Sequence, residues 1–302
     1  MIRRPPRSTL DRSSAASDVY KRQGYQLGCY RKALLNAMCT IGTLRLGDEY
    51  LLFKNKDFGR EIFEDQIVLS KDLIGIKGVS TWANHDSSGD RFSGFSIGAN
   101  RHGLFCCDAN VRSEPVGAKN YDLLTELALT EADSVESAIV TLQRAVALSA
   151  YWCSNLVLID SKTSAVIEVH GNKIAVERNP NQVTRTNHHL LFDHTPESDD
   201  IITSESRLSF SQKRLSAARS IEDIHSLQAS HDAGTTGICN HAVHQTVYSY
   251  VFYFKNGDVS LRVKKGRPCS KEGEYQDLVL PFGKNWSVEG HSDFRAGYPS
   301  NC

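Results

Sequence analysis

Methionine is nearly absent from this chain. Among 302 residues only Met1 and Met38 are methionine, so any start inside the chain falls at Met38. Net charge is absent as well. The 35 Lys and Arg balance 35 Asp and Glu, which removes the electrostatic case for nucleic acid or an anionic membrane surface. No apolar run approaches the roughly 20 residues that a membrane helix requires, so no membrane partner is expected. The eight cysteines are Cys29, Cys39, Cys106, Cys107, Cys153, Cys239, Cys269 and Cys302. None forms a C-x-x-C pair and several lie in apolar strand-like runs, which argues against a disulfide framework and for a reducing, cytoplasmic setting. The histidines include His188-His189 and His241/His244, and neither group has carboxylate or cysteine company at metal-ligand spacing along the chain. No metal and no cofactor is expected.

With 40% hydrophobic residues, the chain can bury a sizeable core. Residues 1–23 do not read as part of it. They are rich in Arg, Ser and Pro, carry no hydrophobic period and lack the apolar centre of a signal peptide. The run Ser14 to Gln23 resembles the translation of a sequencing adapter, and a transit-type leader is the alternative. Residues 24–38 then read as a leader or as untranslated sequence that happens to be open. Residues 39–302 read as one domain with an irregular tail from about 270. Under this reading removal of Met38 exposes Cys39, one residue carrying both a thiol and an α-amine. The thiol is an intrinsically good nucleophile, and the amine, with a pKa of about 7.7–8.0, is a base poised near neutral pH.

Met38 to Asp57 reads as two strands joined at Gly47-Asp48, which brings Asp57 back beside Cys39. Further strands are expected at Asp65–Ser70, Phe92–Ile97, Gly103–Asp108, Asn155–Ile159, Ala165–Val169 and Lys173–Glu177, with a polar loop at His85–Asp90. Helical spacing begins at Tyr121 and again at Ser134, where Asp133 and Glu136 resemble a capping box. Two more helices are read over Ser204–Ala218 and Ser220–Ala229. A hairpin of Thr246–Phe254 and Val259–Val263 turns at Asn256-Gly257, the strongest turn signal present. Strands and helices thus come in blocks, not in alternation. That order predicts an α+β fold of two mainly antiparallel sheets, each covered outside by a helix pair.

Five stretches carry chemistry: Met38-Cys39-Thr40, Lys54-Asn55-Lys56-Asp57, Asp108-Ala109-Asn110-Val111, Thr186-Asn187-His188-His189 and Ser206-Arg207. In this order they resemble the N-terminal-nucleophile (Ntn) cysteine hydrolases of the linear-amide class, which include choloylglycine hydrolase, penicillin V acylase and the acyl-CoA:6-aminopenicillanic acid acyltransferase group. The resemblance spans Cys39 to about Cys269. It implies a four-layer αββα sandwich and an amide hydrolase or acyltransferase acting on a small-molecule amide or acyl donor. Carried over by position, it makes Cys39 the nucleophile and its α-amine the base. Asp57 orients the amine, Asn110 helps form the oxyanion hole, Asn187 is the asparagine near the nucleophile, and Arg207 supplies the local field.

Two departures stand out. Lys54 takes the place of a usual arginine, keeping the charge without the planar fork. Met38 precedes the cysteine where acyltransferase precursors have glycine, and Gly28-Cys29 lacks the following strand and the spacing to Asp57. Lys54 and His188 are the expected substrate-binding residues. Structural readings stay open for each: a buried Cys39, loop-capping asparagines, a solvated Arg207. Other functions stay open too, namely a silent acyl- or carboxylate-binding protein on the same fold, or a Cys-His hydrolase using His188 or His189. The sequence is compatible with a homo-oligomer.

Overall fold

A computed structural model describes residues 38–299 apart from 59–63, 79–93, 114, 180, 194–199, 233 and 243. The leader and the polar loop at His85–Asp90 lie outside the described residues. The opening hairpin is β1 (Met38–Leu46) and β2 (Glu49–Phe58), in a register that pairs Met38 with Asp57 and Cys39 with Lys56. Opposed residues share a face of the sheet and successive ones alternate. Lys54 and Lys56 therefore point to one side of β2, and Asn55 and Asp57 to the other.

The chain continues through β3 (Ile67–Leu69), β4 (Leu73–Lys77), β5 (Phe95–Asn100), β6 (Phe105–Asn110), then helices α1 (Asp122–Glu131) and α2 (Val135–Leu148). Next come β7 (Tyr151–Ile159), β8 (Ser164–Gly171), β9 (Lys173–Arg178) and β10 (Gln182–Arg185), followed by α3 (Asp200–Ala217) and α4 (Ile221–Gln228). The last elements are β11 (Gln245–Lys255), β12 (Asp258–Lys265), β13 (Gln276–Val279) and α5 (Val288–Gly297). One sheet has the order β10-β1-β2-β11-β12-β13 and the other runs β3 to β9 in sequence. Every strand pairing among them is antiparallel.

Two apolar cores sit outside the sheets and explain the layers. Leu124, Ala128, Leu129, Ile139, Leu142 and Val146 of α1 and α2 pack on Leu156, Leu158 and Ile167 of the seven-stranded sheet. Leu215 of α3 and Ile224 and Leu227 of α4 pack on Leu44, Leu51, Phe53 and Val251 of the six-stranded sheet. Between the sheets, Tyr50 packs tilted against Phe105 at 5.2 Å between centroids, and Phe105 meets Phe252 at 5.8 Å. The order is helix pair, sheet, sheet, helix pair: the four-layer αββα sandwich.

Local details refine the reading. The Asn256-Gly257 turn is present with φ of 53° and 90°, the left-handed pair that a two-residue hairpin of this type demands. The α2 capping box is formed by Ser134 and Ser137, not by Asp133 and Glu136; Glu136 instead pairs with Arg178 across to β9, 2.8 Å away. The C-terminal region is not irregular throughout, since β13 and α5 occupy it. Phe294 and Tyr298 are buried there, and the Tyr298 hydroxyl donates to Asp65 Oδ2 at 2.6 Å. Strands β4 and β10, absent from the sequence reading, are short; β10 forms one edge of its sheet.

Replacing Ser134 with alanine removes the acceptor that holds the Ser137 backbone N–H. A loss of about 1 kcal/mol in unfolding free energy is expected, measured by urea titration. Because α2 lies on the far side of the seven-stranded sheet, activity at Cys39 should not change. A coupled loss of activity would mean that α2 shapes the site.

Candidate active site

Charged side chains in a protein interior are rare unless paired, and this fold buries a group of them around one strand end. Lys54, Lys56, Asp57, Asp65, Asp108 and Arg207 are all buried. They gather where β1 and β2 meet the other sheet and the start of α3.

Cys39 is at the centre, a free thiol and 3% exposed. Its backbone nitrogen donates to Asn187 Oδ1 at 3.0 Å. Its carbonyl accepts from Arg207 Nη1 at 2.7 Å, and the second guanidinium nitrogen, Nη2, donates to the same Asn187 Oδ1 at 2.8 Å. Arg207 also reaches Thr40 Oγ1 at 3.3 Å. One planar fork thus fixes both the cysteine main chain and the side chain that receives its N–H. Asn187 Nδ2 donates to the Asn110 carbonyl at 2.8 Å, which ties the end of β6 into the cluster. The Asn187 backbone N–H is held by Ser204 Oγ of α3 at 2.8 Å.

Asp57 lies on the opposite face of β2 from Lys54 and is gripped by the segment leading into β11. Thr246 Oγ1 donates to its Oδ1 at 2.7 Å, and Asn240 Nδ2 approaches Oδ2 at 3.4 Å. Burial pushes the Asp57 carboxyl up to about 7, against the pull of Arg207 and of those two hydrogen bonds. Burial also raises the Cys39 thiol above its usual value, while Lys54 opposes that rise and a hydrogen bond from the Asp57 backbone does the same. In this form, with Met38 still attached, the thiol is held protonated.

Lys54 has three interior acceptors for its three protons: Ser96 O at 2.9 Å, Asp108 O at 2.7 Å and Asp108 Oδ1 at 3.0 Å. Burial, the largest single effect, would lower its pKa, yet Asp108 together with the neighbouring Cys39 and Cys107 raises it, so the ammonium stays charged beside the thiol. That leaves no proton for the substrate carboxylate expected of it, because the neighbouring sheet supplies a full set of acceptors. His188 is also turned inward. Its Nδ1 lies 2.7 Å from Ser204 Oγ and 3.4 Å from Thr186 Oγ1, and burial lowers its pKa.

The structure therefore brings Cys39, Asn187, Arg207 and the Asn110 main chain together, with Asp57 on the adjoining strand. Sequence reasoning assigned nothing to Asp108, Thr246, Asn240 or Ser204. A signal existed for Asp108, which sits two residues before Asn110 on a strand of otherwise apolar residues and so shares its face. The others come from distant parts of the chain, Ser204 from α3, Thr246 from β11 and Asn240 from the segment before it, and carried none. Another expectation needs correction. His241 does have cysteine company, because folding brings His231, Cys239, His241 and Cys269 together with ligand atoms within 4.8 Å of one another. Cys239 stands two residues before His241 in the chain, but spacing gave no hint of Cys269, which arrives from the β12–β13 connection.

Face-to-face antiparallel sheets between helix pairs, with a cysteine on the first strand, are the architecture of N-terminal-nucleophile hydrolases. The chain belongs to the acyl-coenzyme A:6-aminopenicillanic acid acyl-transferase family, whose model matches residues 45–268. Among solved structures, a variant of conjugated bile acid hydrolase from Clostridium perfringens is 14% identical, with 81% of this chain and 98% of that one covered at a TM-score of 0.47. The Caenorhabditis elegans ortholog of N-acylethanolamine-hydrolyzing acid amidase is 11% identical, covering 78% and 94% at 0.49. Penicillin V acylase from Agrobacterium tumefaciens is 11% identical, covering 82% and 92% at 0.44. Comparison with curated proteins found no match.

A carboxyl whose pKa is raised in the fold binds its proton more tightly folded than unfolded. The stability it contributes is full below about 4 and is lost as pH climbs through about 7. In a chain that retains Met38, Asp57→Asn should therefore gain on wild type in unfolding free energy as pH rises across that window. Urea titrations at stepped pH check this; a constant offset between the two proteins would show that Asp57 titrates as an ordinary carboxyl.

Proposed function

We propose that this chain is a cysteine N-terminal-nucleophile enzyme that cleaves linear C–N amide bonds of small N-acyl compounds. The acyl group passes through a thioester on Cys39 to water or to an amine. The observation that carries this reading is the double anchoring of the Cys39 main chain, nitrogen to Asn187 and carbonyl to Arg207. A cysteine serving only as core packing has no need of a buried guanidinium on its own carbonyl. Family membership favours the enzyme over a silent binding protein.

In this mechanism loss of Met38 turns the Cys39 nitrogen into a free amine, a base of pKa about 7.7–8.0. The amine takes the thiol proton, and Sγ attacks the substrate carbonyl. A C–S bond forms as the carbonyl π pair moves onto oxygen. Asn110 and Asn187 are assigned as uncharged donors to that oxyanion. The amine then returns its proton to the leaving nitrogen, the C–N bond breaks, and the thioester remains. Water or an acceptor amine repeats the cycle. Asp57, opposite Met38 in the ladder, is assigned to orient the amine. Arg207 holds the cysteine main chain, and Lys54 is the buried cation that favours thiolate. His188 is assigned to brace the Asn187 loop through Ser204. The free thiols among the described residues fit a reducing, cytoplasmic setting.

Expression from Met38 should yield protein whose N-terminal sequence reads Cys-Thr-Ile-Gly-Thr. A panel of N-acyl amino acids, quenched in acid, should leave a thioester on the peptide starting at Cys39. Cys39→Ala should fold and form no adduct, and Cys39→Ser should turn over slowly at best. Adduct on another cysteine, or full activity with Met38 retained, would sink the mechanism. The acid limb of kcat/KM should report the coupled thiol–amine pair, falling as the amine is protonated.

Asn187→Ala and Asn110→Ala should each lower kcat by about 10²–10³, with kcat/KM falling in step, if these residues serve the oxyanion. Melting temperatures measured alongside separate this from a structural part. A variant that unfolds while its folded fraction keeps a normal kcat would remove that asparagine from the mechanism.

A further inference from the structure

The strongest feature outside the nucleophile site is the group formed by His231, Cys239, His241 and Cys269. His241 Nε2 lies 3.0 Å from His231 Nε2, 3.4 Å from Cys239 Sγ and 3.2 Å from Cys269 Sγ. An imidazole nitrogen has a single proton or a single lone pair, so it cannot serve three such partners through hydrogen bonds. A cation among the four atoms can. A tetrahedral zinc ion with bonds of 2.0–2.1 Å to nitrogen and 2.3 Å to sulfur would set these edges at about 3.3 Å for N to N and about 3.6 Å for N to S. The edges seen are within a few tenths of an ångström of those values.

We propose that these four side chains form a structural binding site for a soft divalent cation of the zinc class. Two thiolates and two neutral imidazoles balance the 2+ charge, which suits a site with Cys239 buried and Cys269 and His241 half-buried. The two thiol protons are released on binding. His231 is exposed and gives the ion a way in. A set of four protein ligands leaves no open position for chemistry, so the ion is a clamp.

The clamp joins the segment before β11 to the β12–β13 connection. Its position matters because Asn240 lies between two of the ligands. Asn240 approaches Asp57 through its side chain, its backbone N–H is held by Thr246 Oγ1 at 2.9 Å, and the same hydroxyl donates to Asp57. The ion would thus brace the segment that grips Asp57. That consequence rests on the function proposed above, whereas the site itself does not.

One contact opposes the ion. Arg267 Nη1 lies 3.0 Å from His241 Nδ1, and a metal on Nε2 requires Nδ1 to carry a proton. The half-buried Arg267 must turn aside, and Arg267→Gln, which can offer an amide oxygen to Nδ1–H, should bind the ion more tightly.

The test uses the full chain from Met38, without a histidine tag, purified in reductant and without chelator. Elemental analysis should find about one zinc per chain, and Co²⁺ added to zinc-free protein should give the strong visible and thiolate charge-transfer bands of a tetrahedral site. Cys269→Ser and His231→Gln, both away from the buried core, should cut zinc content and affinity about tenfold or more. Their circular dichroism should match wild type. The proposal is overturned if reduced wild type takes up neither ion, or if both variants keep the full Co²⁺ spectrum. A Cys239–Cys269 disulfide in reductant-purified protein, with no metal bound, overturns it as well. Because these readouts need no substrate, they stand apart from failure of the amidase reading.

Discussion

A guanidinium taken wholly out of water costs several kcal/mol unless its protons are matched. Arg207 meets that cost by spanning three parts of the chain at once. From α3 it reaches the Cys39 carbonyl and Thr40 hydroxyl on β1 and the Asn187 side chain beyond β10. Everything at the site depends on this fork. It ties α3 to β1, and it fixes the Asn187 carbonyl oxygen that receives the Cys39 N–H. Lysine could keep the charge but not the paired geometry, because a single ammonium cannot hold two acceptors with parallel donors.

A second set of interior charges joins the two sheets. Lys54 and Lys56 leave the same face of β2 and meet Asp108 and Asp65, at 3.0 and 3.2 Å. Each acid is further satisfied: Thr125 donates to Asp108 at 2.8 Å, and Tyr250 and Tyr298 both donate to Asp65 at 2.6 Å. Such pairs add little net stability over apolar packing, but a slip in register would strand a buried charge. They therefore bias the sheets toward one alignment. The same alignment carries Lys54 to the side of β2 that faces the thiol, where its charge opposes the effect of burial.

The two faces of β2 thus divide the work. One face, with Lys54, meets the opposite sheet and acts on the sulfur. The other, with Asp57, looks toward the helical layer and is controlled by the segment around Asn240 and Thr246. Asn55 shares that side with Asp57. Its amide donates to the carbonyls of Gln228 and Ile238 at 2.9 and 2.8 Å, so the end of α4 and the same segment are locked to the strand.

Local chemistry determined a good deal. Alternating and β-branched residues marked the opening hairpin, 3.6-residue spacing marked helices α1 to α4, and Asn256-Gly257 marked the last hairpin, because each signal is satisfied within a few residues. The short strands β4, β10 and β13 carry too few residues to show a period, and α5 is a polar helix whose burial rests on Phe294 and Tyr298. Cys39, Asp57, Asn110, Asn187 and Arg207 could be singled out as residues. What holds each of them could not, since the partners lie far off: Asp108 is 54 residues from Lys54, and Thr246 is 189 from Asp57. Nor could sequence spacing join Cys239 to Cys269. Residue types and periods decide which segments form strands and helices; only packing two sheets face to face decides which buried charges and thiols meet, because those contacts depend on register and on which side of a strand faces inward.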